Sequence, residues 1–212
     1  MRPHGAWRRN ATLLTRTAQV GLVGVFVVGM TIRNVSVVLN ALLALGVTFL
    51  PAVLERDLRI ELDPRFSVYL GFAVFLHAVG MFQFYDEVWW WDHLTHTLSA
   101  SIVAVVGYAT VWAIDSHSDR LYLPRPFVMV FVLAFTLAMG VFWEVLEFVG
   151  RELAIALDLD PVLVLYGLDD TMLDLVFNLA GALVVTLFGT DAVREQGEEL
   201  AAWLDRRRRE TS

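Results

Sequence analysis

Residues 89–114 read WWWDHLTHTLSASIVAVVGYATVWAI. The stretch 97–114 holds 18 residues without Asp, Glu or Arg. That is close to the roughly 20 apolar residues that carry a helix through a bilayer. Trp89, Trp90 and Trp91 stand just before it, where an aromatic belt anchors a span at the membrane interface. Between the belt and the apolar run lie Asp92, His93 and His96. This segment therefore predicts a membrane helix whose entry carries ionisable groups.

The same reading extends outward. Residues 34–54, 66–85 and 126–143 also lack Asp, Glu and Arg, and residues 17–32 and 175–190 form shorter apolar runs. The shorter runs span if Arg16, Arg33 and Asp174 lie at interfaces or face the protein interior. Hydrophobic residues make up 57% of the 212 and charged residues 18%, a balance that favours a membrane protein over a soluble domain. The expected fold is an all-α polytopic transmembrane bundle of about six spans, near 13–32, 34–54, 66–85, 93–114, 126–148 and 171–190. A cytoplasmic tail at 191–212 completes a single membrane domain over 1–212. A five-span alternative would leave one terminal helix at the interface. The first span follows Arg2, Arg8 and Arg9 but has no clear small-x-small cleavage site, and reads as a retained anchor.

All 16 basic residues are Arg, and there is no Cys. Disulfides, thiolate nucleophiles and Cys-ligated metal sites are excluded, as is Schiff-base chemistry with retinal or pyridoxal phosphate. Six spans put Arg33 and Arg151 on one side and the other fourteen arginines on the opposite side. The positive-inside bias then places both termini in the cytoplasm of a multi-pass cell-membrane protein. Asn34 is expected to cap the second helix, and Pro126 to sit in the first turn of the fifth. Residues 152–168, interrupted by Asp158, Asp160 and Pro161, read as a short interfacial helix and turn on the outer face. The run Arg206, Arg207, Arg208 and Arg209 is better explained by the cytoplasmic interface than by nucleic acid.

Drawn this way, the outer helix ends gather polar residues. Asp92 and His96 are four apart, His93 and His96 three apart, and Glu144 and Glu147 three apart. Asp170, Asp174 and Asn178 form a line along the sixth span. Such spacings put each set on one helix face. Carboxylates facing lipid are costly, so these groups should point inward, where mutual repulsion calls for protons or a divalent cation. His93, His96, Glu144, Glu147, Asp170 and Asp174 are the candidate metal ligands. Asp92 is a candidate base or orienting residue, and Arg151 a candidate holder of an anionic group. A mixed His and carboxylate shell suits Zn, Mn or Fe(II), and a mostly carboxylate shell suits Mg or Ca.

Plainer roles stand beside these. Asp92 and Asp170 also fit as helix caps, and His93 and His96 as interhelical hydrogen bonders. Glu144 and Glu147 fit as a solvated helix end, and Asp174 and Asn178 as structural bridges. His77, in mid-span, reads as an interhelical histidine. The net charge of −7 without lysine also fits a salt-adapted surface.

The segments Tyr85-Asp86, 91–96, 144–147, Tyr166 to Thr171 and 174–182 together resemble the YjdF-like family of uncharacterised membrane proteins, over about residues 66–188. More distantly the chain is similar to VanZ-like proteins, with Asp170, Asp174, Asn178 and Gly181 at the positions of a D-x3-D-x3-N-x2-G helix. Glu147 stands where that pattern has Gln. The resemblance implies a small multi-span protein with these residues at its core, and lipid or polyprenyl substrates. Three functions remain open: a metal-dependent membrane enzyme acting on a lipid-linked phosphate or similar head group at the outer leaflet, a cation transporter or permease, and a non-enzymatic partner-binding membrane protein.

Overall fold

The computed structural model describes residues 5–60, 62–117, 122–158, 167–188 and 190–211. They form α1 (Gly5–Ile32), α2 (Val35–Thr48), α3 (Leu50–Leu58), α4 (Pro64–Gly80), α5 (Phe84–Glu87), α6 (Trp91–His117), α7 (Arg125–Ala156), α8 (Leu168–Phe188) and α9 (Thr190–Thr211). No strand occurs among the described residues. Five stretches are long and apolar enough to cross a membrane: α1, α2 with α3, α6, α7 and α8. The 17-residue α4 packs among α1, α2 and α6 as a sixth. The result is an all-α polytopic membrane bundle of roughly six spans.

Its packing is the reverse of a soluble protein's. Alanines such as Ala41, Ala78, Ala104, Ala113 and Ala182 fill the interior, while Val20, Leu43, Val130 and Val184 face outward. Lipid chains are as apolar as leucine, so burying large side chains gains little, and small residues win by letting helices approach.

Local chemistry sets the turns. Arg33 adopts a left-handed φ of 58° after α1. The Asn34 N–H reaches the Gly29 carbonyl at 3.0 Å and the Arg33 N–H that of Met30 at 3.3 Å, the paired bonds of a Schellman stop. The Asn34 side chain then accepts from the Val37 N–H at 3.0 Å, the expected cap of α2. Pro51 in the first turn of α3 lacks an N–H, which breaks the helical ladder and separates α2 from α3 within one apolar stretch. Asp63 caps α4 by accepting from the Arg65 N–H at 2.7 Å. Pro126 lies in the first turn of α7, as expected.

Beyond Glu152 the chain differs from the expected interfacial helix and turn. Residues 152–156 continue α7 without a break and carry it past Arg151. Asp160, Pro161 and Tyr166 lie outside the described residues. The polar tail also does more than extend. α9 packs along α6 and buries Val193 against Ala182 and Val185. Arg206 donates to the Arg59 carbonyl at 2.8 Å, so the tail and the α3–α4 connection share one side.

Two packed groups result. Leu22, Val37, Ala41 and Ala78 join α1, α2 and α4. Ala104, Val132, Ala182 and Val193 join α6, α7, α8 and α9. Contacts between α4 and α6 connect them, including a 2.6 Å bond between Tyr69 Oη and Ser101 Oγ.

Candidate metal centre

α6 begins at Trp91, so Asp92 and His96 fall on successive turns of its N-terminal end. His96 Nε2 lies 3.5 Å from Asp92 Oδ1. α8 brings the third group, Asp174, to the same place. Gly181, two turns below Asp174 on the same face, sets the approach: a Cβ there would run into the Thr97 carbonyl oxygen of α6. The Thr97 hydroxyl, 2.8 Å from the His93 carbonyl, also reaches the Phe177 carbonyl at 3.4 Å. With the two backbones this close, Asp174 Oδ1 lies 3.7 Å from His96 Nε2 and 3.9 Å from His93 Nδ1.

Asp174 is 2% exposed, and its Oδ1 makes no hydrogen bond. His93 Nδ1 is likewise buried without a hydrogen-bond partner, its ring stacked on Phe177 at 4.3 Å. One ligand atom each from Asp92, His96 and Asp174 lies within 4.8 Å of the others. Two ligands of one tetrahedral ion, each about 2.0–2.2 Å from the metal, sit roughly 3.3 Å apart. The 3.5 and 3.7 Å separations from His96 need only a few tenths of an ångström of closure, and the Asp92 and Asp174 oxygens lie within 4.8 Å of each other. The donor set, one imidazole and two carboxylates, therefore fits a divalent cation. His93 stands outside this trio and faces Asp174 alone.

α7 supplies a flanking layer. A Cβ on Gly140 would stand 2.6 Å from Asn178 Nδ2, so the α7 backbone closes directly on α8. One turn further out, buried Glu144 accepts from the Thr171 hydroxyl at 3.0 Å, while its Oε1 has no hydrogen bond. Glu147 accepts from Trp143 Nε1 at 3.0 Å. Asp92, Glu147, Asp170 and Asp174 border one cavity, and Glu144 is joined to their side of α8 through Thr171. Arg151, half-buried a turn beyond Glu147, does not line the cavity next to it. Asp86, Glu87 and Asp169 are exposed.

That cavity has a volume of about 520 Å³ and is bounded at one end by Asp92, His96, Glu147, Asp170 and Asp174. Deeper in, it meets residues that spacing did not assign to the site: Asn40, His77, Tyr85 and Thr136, with Asn178 between the two levels. His77 is the interhelical histidine expected. Its Nε2 lies 3.3 Å from Asn40 Oδ1 and its Nδ1 2.7 Å from the Tyr85 hydroxyl. It also borders the cavity. Tyr85 reaches it because α4 ends at Gly80 and the chain reverses through Gln83 at φ 71°. A left-handed glutamine leaves no mark in sequence, so this contact was not legible there.

The fold and this cluster define a multi-pass membrane helical protein with a candidate three-residue metal site. Residues 14–195 match the family described as "Predicted membrane protein (DUF2238)", and the chain belongs to that family. It is also 33% identical over 135 residues to an uncharacterised protein of Thermotoga maritima, covering 63% of this chain and 66% of the relative. No solved structure shows significant similarity.

Proposed function

We propose that this protein is a metal-dependent membrane enzyme that acts on a lipid-linked phosphate or similar head group at the outer leaflet. One observation carries the reading: Asp92, His96 and Asp174 converge, with Asp174 Oδ1 unbonded, at the polar end of a cavity whose other walls are largely apolar. Asp92, His96 and Asp174 would hold the cation. Such an ion supplies a Lewis acid and a water acidic enough to act as nucleophile near neutral pH. Asp170 and Glu147 also line the cavity wall, and either would serve as a proton acceptor beside the cation. Glu144, fixed by Thr171, and His93, fixed by Phe177, hold the surroundings of Asp174 in place. Arg151 is the basic residue on this rim of α7 and would meet an anionic head group arriving from outside. The distant likeness to VanZ-like proteins supports a lipid-borne substrate. The fourteen-to-two arginine split supports cytoplasmic termini in the cell membrane and an outward-facing site within one membrane domain.

Metal content tests the reading. Purified wild type should carry about one equivalent of Zn, Mn or Fe, or gain thermal stability from one of them, and Asp174→Ala should do neither. A wild type that holds no metal and is stabilised by no divalent cation refutes it. Transport has one observation in its favour: Asn40, His77, Thr136 and Asn178 continue polar groups inward along the cavity. Flux of the bound metal into proteoliposomes without turnover would favour that alternative.

A further inference from the structure

The cavity has a wall that packing leaves open. α2 packs on α1 and α4, whereas α7 packs on α6 and α8; α2 and α7 do not pack closely together. Leu43 of α2 and Phe142 and Leu146 of α7 line the cavity, yet they are 68%, 53% and 40% exposed. A residue that both faces a cavity and is exposed sits at an opening. Both sides of this opening are apolar, and both helices belong to membrane-crossing stretches, so it faces lipid chains rather than water. Inside, the cavity continues to Val103, seven residues below His96 on α6, a depth of about 10 Å at 1.5 Å per residue. The polar cluster lies at one end and the apolar wall and opening lie beside and below it.

We propose that the gap between α2 and α7 is a lateral portal for the apolar chain of a phosphate-headed amphiphile drawn from the bilayer. The head sits at the Asp92–His96–Asp174 cluster and the chain runs past Val103 and out between Leu43 and Phe142. A free inorganic anion has no use for the apolar part of this space. A hydrated cation gains nothing from an opening lined by leucine and phenylalanine. An amphiphile matches both ends at once. The position of the head rests on the metal-site reading above; the path of the chain rests on the cavity alone.

The probe is a 16-carbon alkyl phosphate with a photoactivatable diazirine midway along its chain, added to the full-length protein in lipid nanodiscs. After illumination, adducts are mapped to single residues. Adducts at Val103 and at Val74 of α4, which also lines the cavity, are expected in addition to those at lipid-facing Val184. Leu43→Trp combined with Phe142→Trp should lower the interior adducts at least tenfold and leave Val184 unchanged. These side chains are exposed, so the fold should tolerate the change. With Mn present, Asp174→Asn should lower the interior adducts similarly, by removing a ligand of the ion that would hold the phosphate. Adducts confined to outward-facing residues overturn the portal, and interior adducts indifferent to both tryptophans overturn the route. Interior adducts in a protein shown to bind no metal would uphold the portal and reject the metal reading.

Discussion

The two packed groups of this bundle solve the same problem differently. The α1–α2–α4 group has an apolar centre of Leu22, Val37, Ala41 and Ala78; Gln19 pairs there with Thr48 at 3.1 Å, and Trp7 Nε1 is its one described side-chain atom left buried without a hydrogen bond. The α6–α7–α8 group leaves Asp174 Oδ1, Glu144 Oε1 and His93 Nδ1 buried with no hydrogen bond. Buried polar groups are normally satisfied, and each exception costs about 1–3 kcal/mol. The first group is organised for stability. The second holds unsatisfied groups in fixed positions, and its close backbone contacts are what hold them.

The largest effect should therefore come from Gly181, where an added Cβ meets backbone, whereas at Gly21 and Gly29 of α1 it meets side chains. Gly181→Ala would push a methyl into the Thr97 carbonyl and force α6 and α8 apart. Overpacking of this kind costs about 1–3 kcal/mol. Thermal stability and metal binding should fall together, because His96 and Asp174 separate. Gly24→Ala in α1 meets nothing within 4 Å and should be neutral or stabilising, since alanine is the better helix former. Melting curves of both variants, with and without metal, check this. Equal losses in the two would dissolve the distinction between the groups.

A smaller effect with an unusual sign is expected at Asp174. In the metal-free protein this carboxyl group is 2% exposed and its Oδ1 has no hydrogen bond. Asp174→Asn keeps the shape and removes the need to bury an ionisable group there. Metal-free stability should rise by about 1 kcal/mol, of the order of one unsatisfied buried group, while stabilisation by metal disappears. A site built for structure alone would lose stability on the same change. Thermal melts in chelator and in excess Mn or Zn separate the two outcomes.

Legibility in the sequence followed the same division. Apolar runs and arginine placement marked the helices, because a span must be long and uncharged whatever it packs against. Asp92 with His96, and Asp170 with Asp174, were legible because helical periodicity puts them on one face. Which ligands meet was not. His93 and His96 read as equivalent, yet the α6–α8 contact at Gly181 brings His96 into the trio and turns His93 against Phe177. Asp92, read as a base or orienting residue, joins the candidate ligands because its oxygen lies beside His96. Asn40 and Thr136 lie within apolar runs and share no spacing with the polar residues of the site. They border the cavity because α2 and α7 stand apart, a matter of tertiary packing that no local pattern encodes.

The smallest effect should come from the α1–α2–α4 group, at Asn34. Its side chain accepts from the Val37 N–H at 3.0 Å, and Val37 is fully buried. Asn34→Ala removes that acceptor and leaves the donor with little access to water. Loss of a cap costs about 1 kcal/mol. The Schellman bonds of Arg33 and Asn34 use backbone atoms only, so the turn itself should survive. The site lies on α6 and α8, which makes the expected result a modest fall in melting temperature with metal affinity unchanged. A loss of metal binding in Asn34→Ala would show that the α1–α2–α4 group sets the geometry of the ligands as well as supporting the fold, and the two groups would then have to be treated as one mechanical unit.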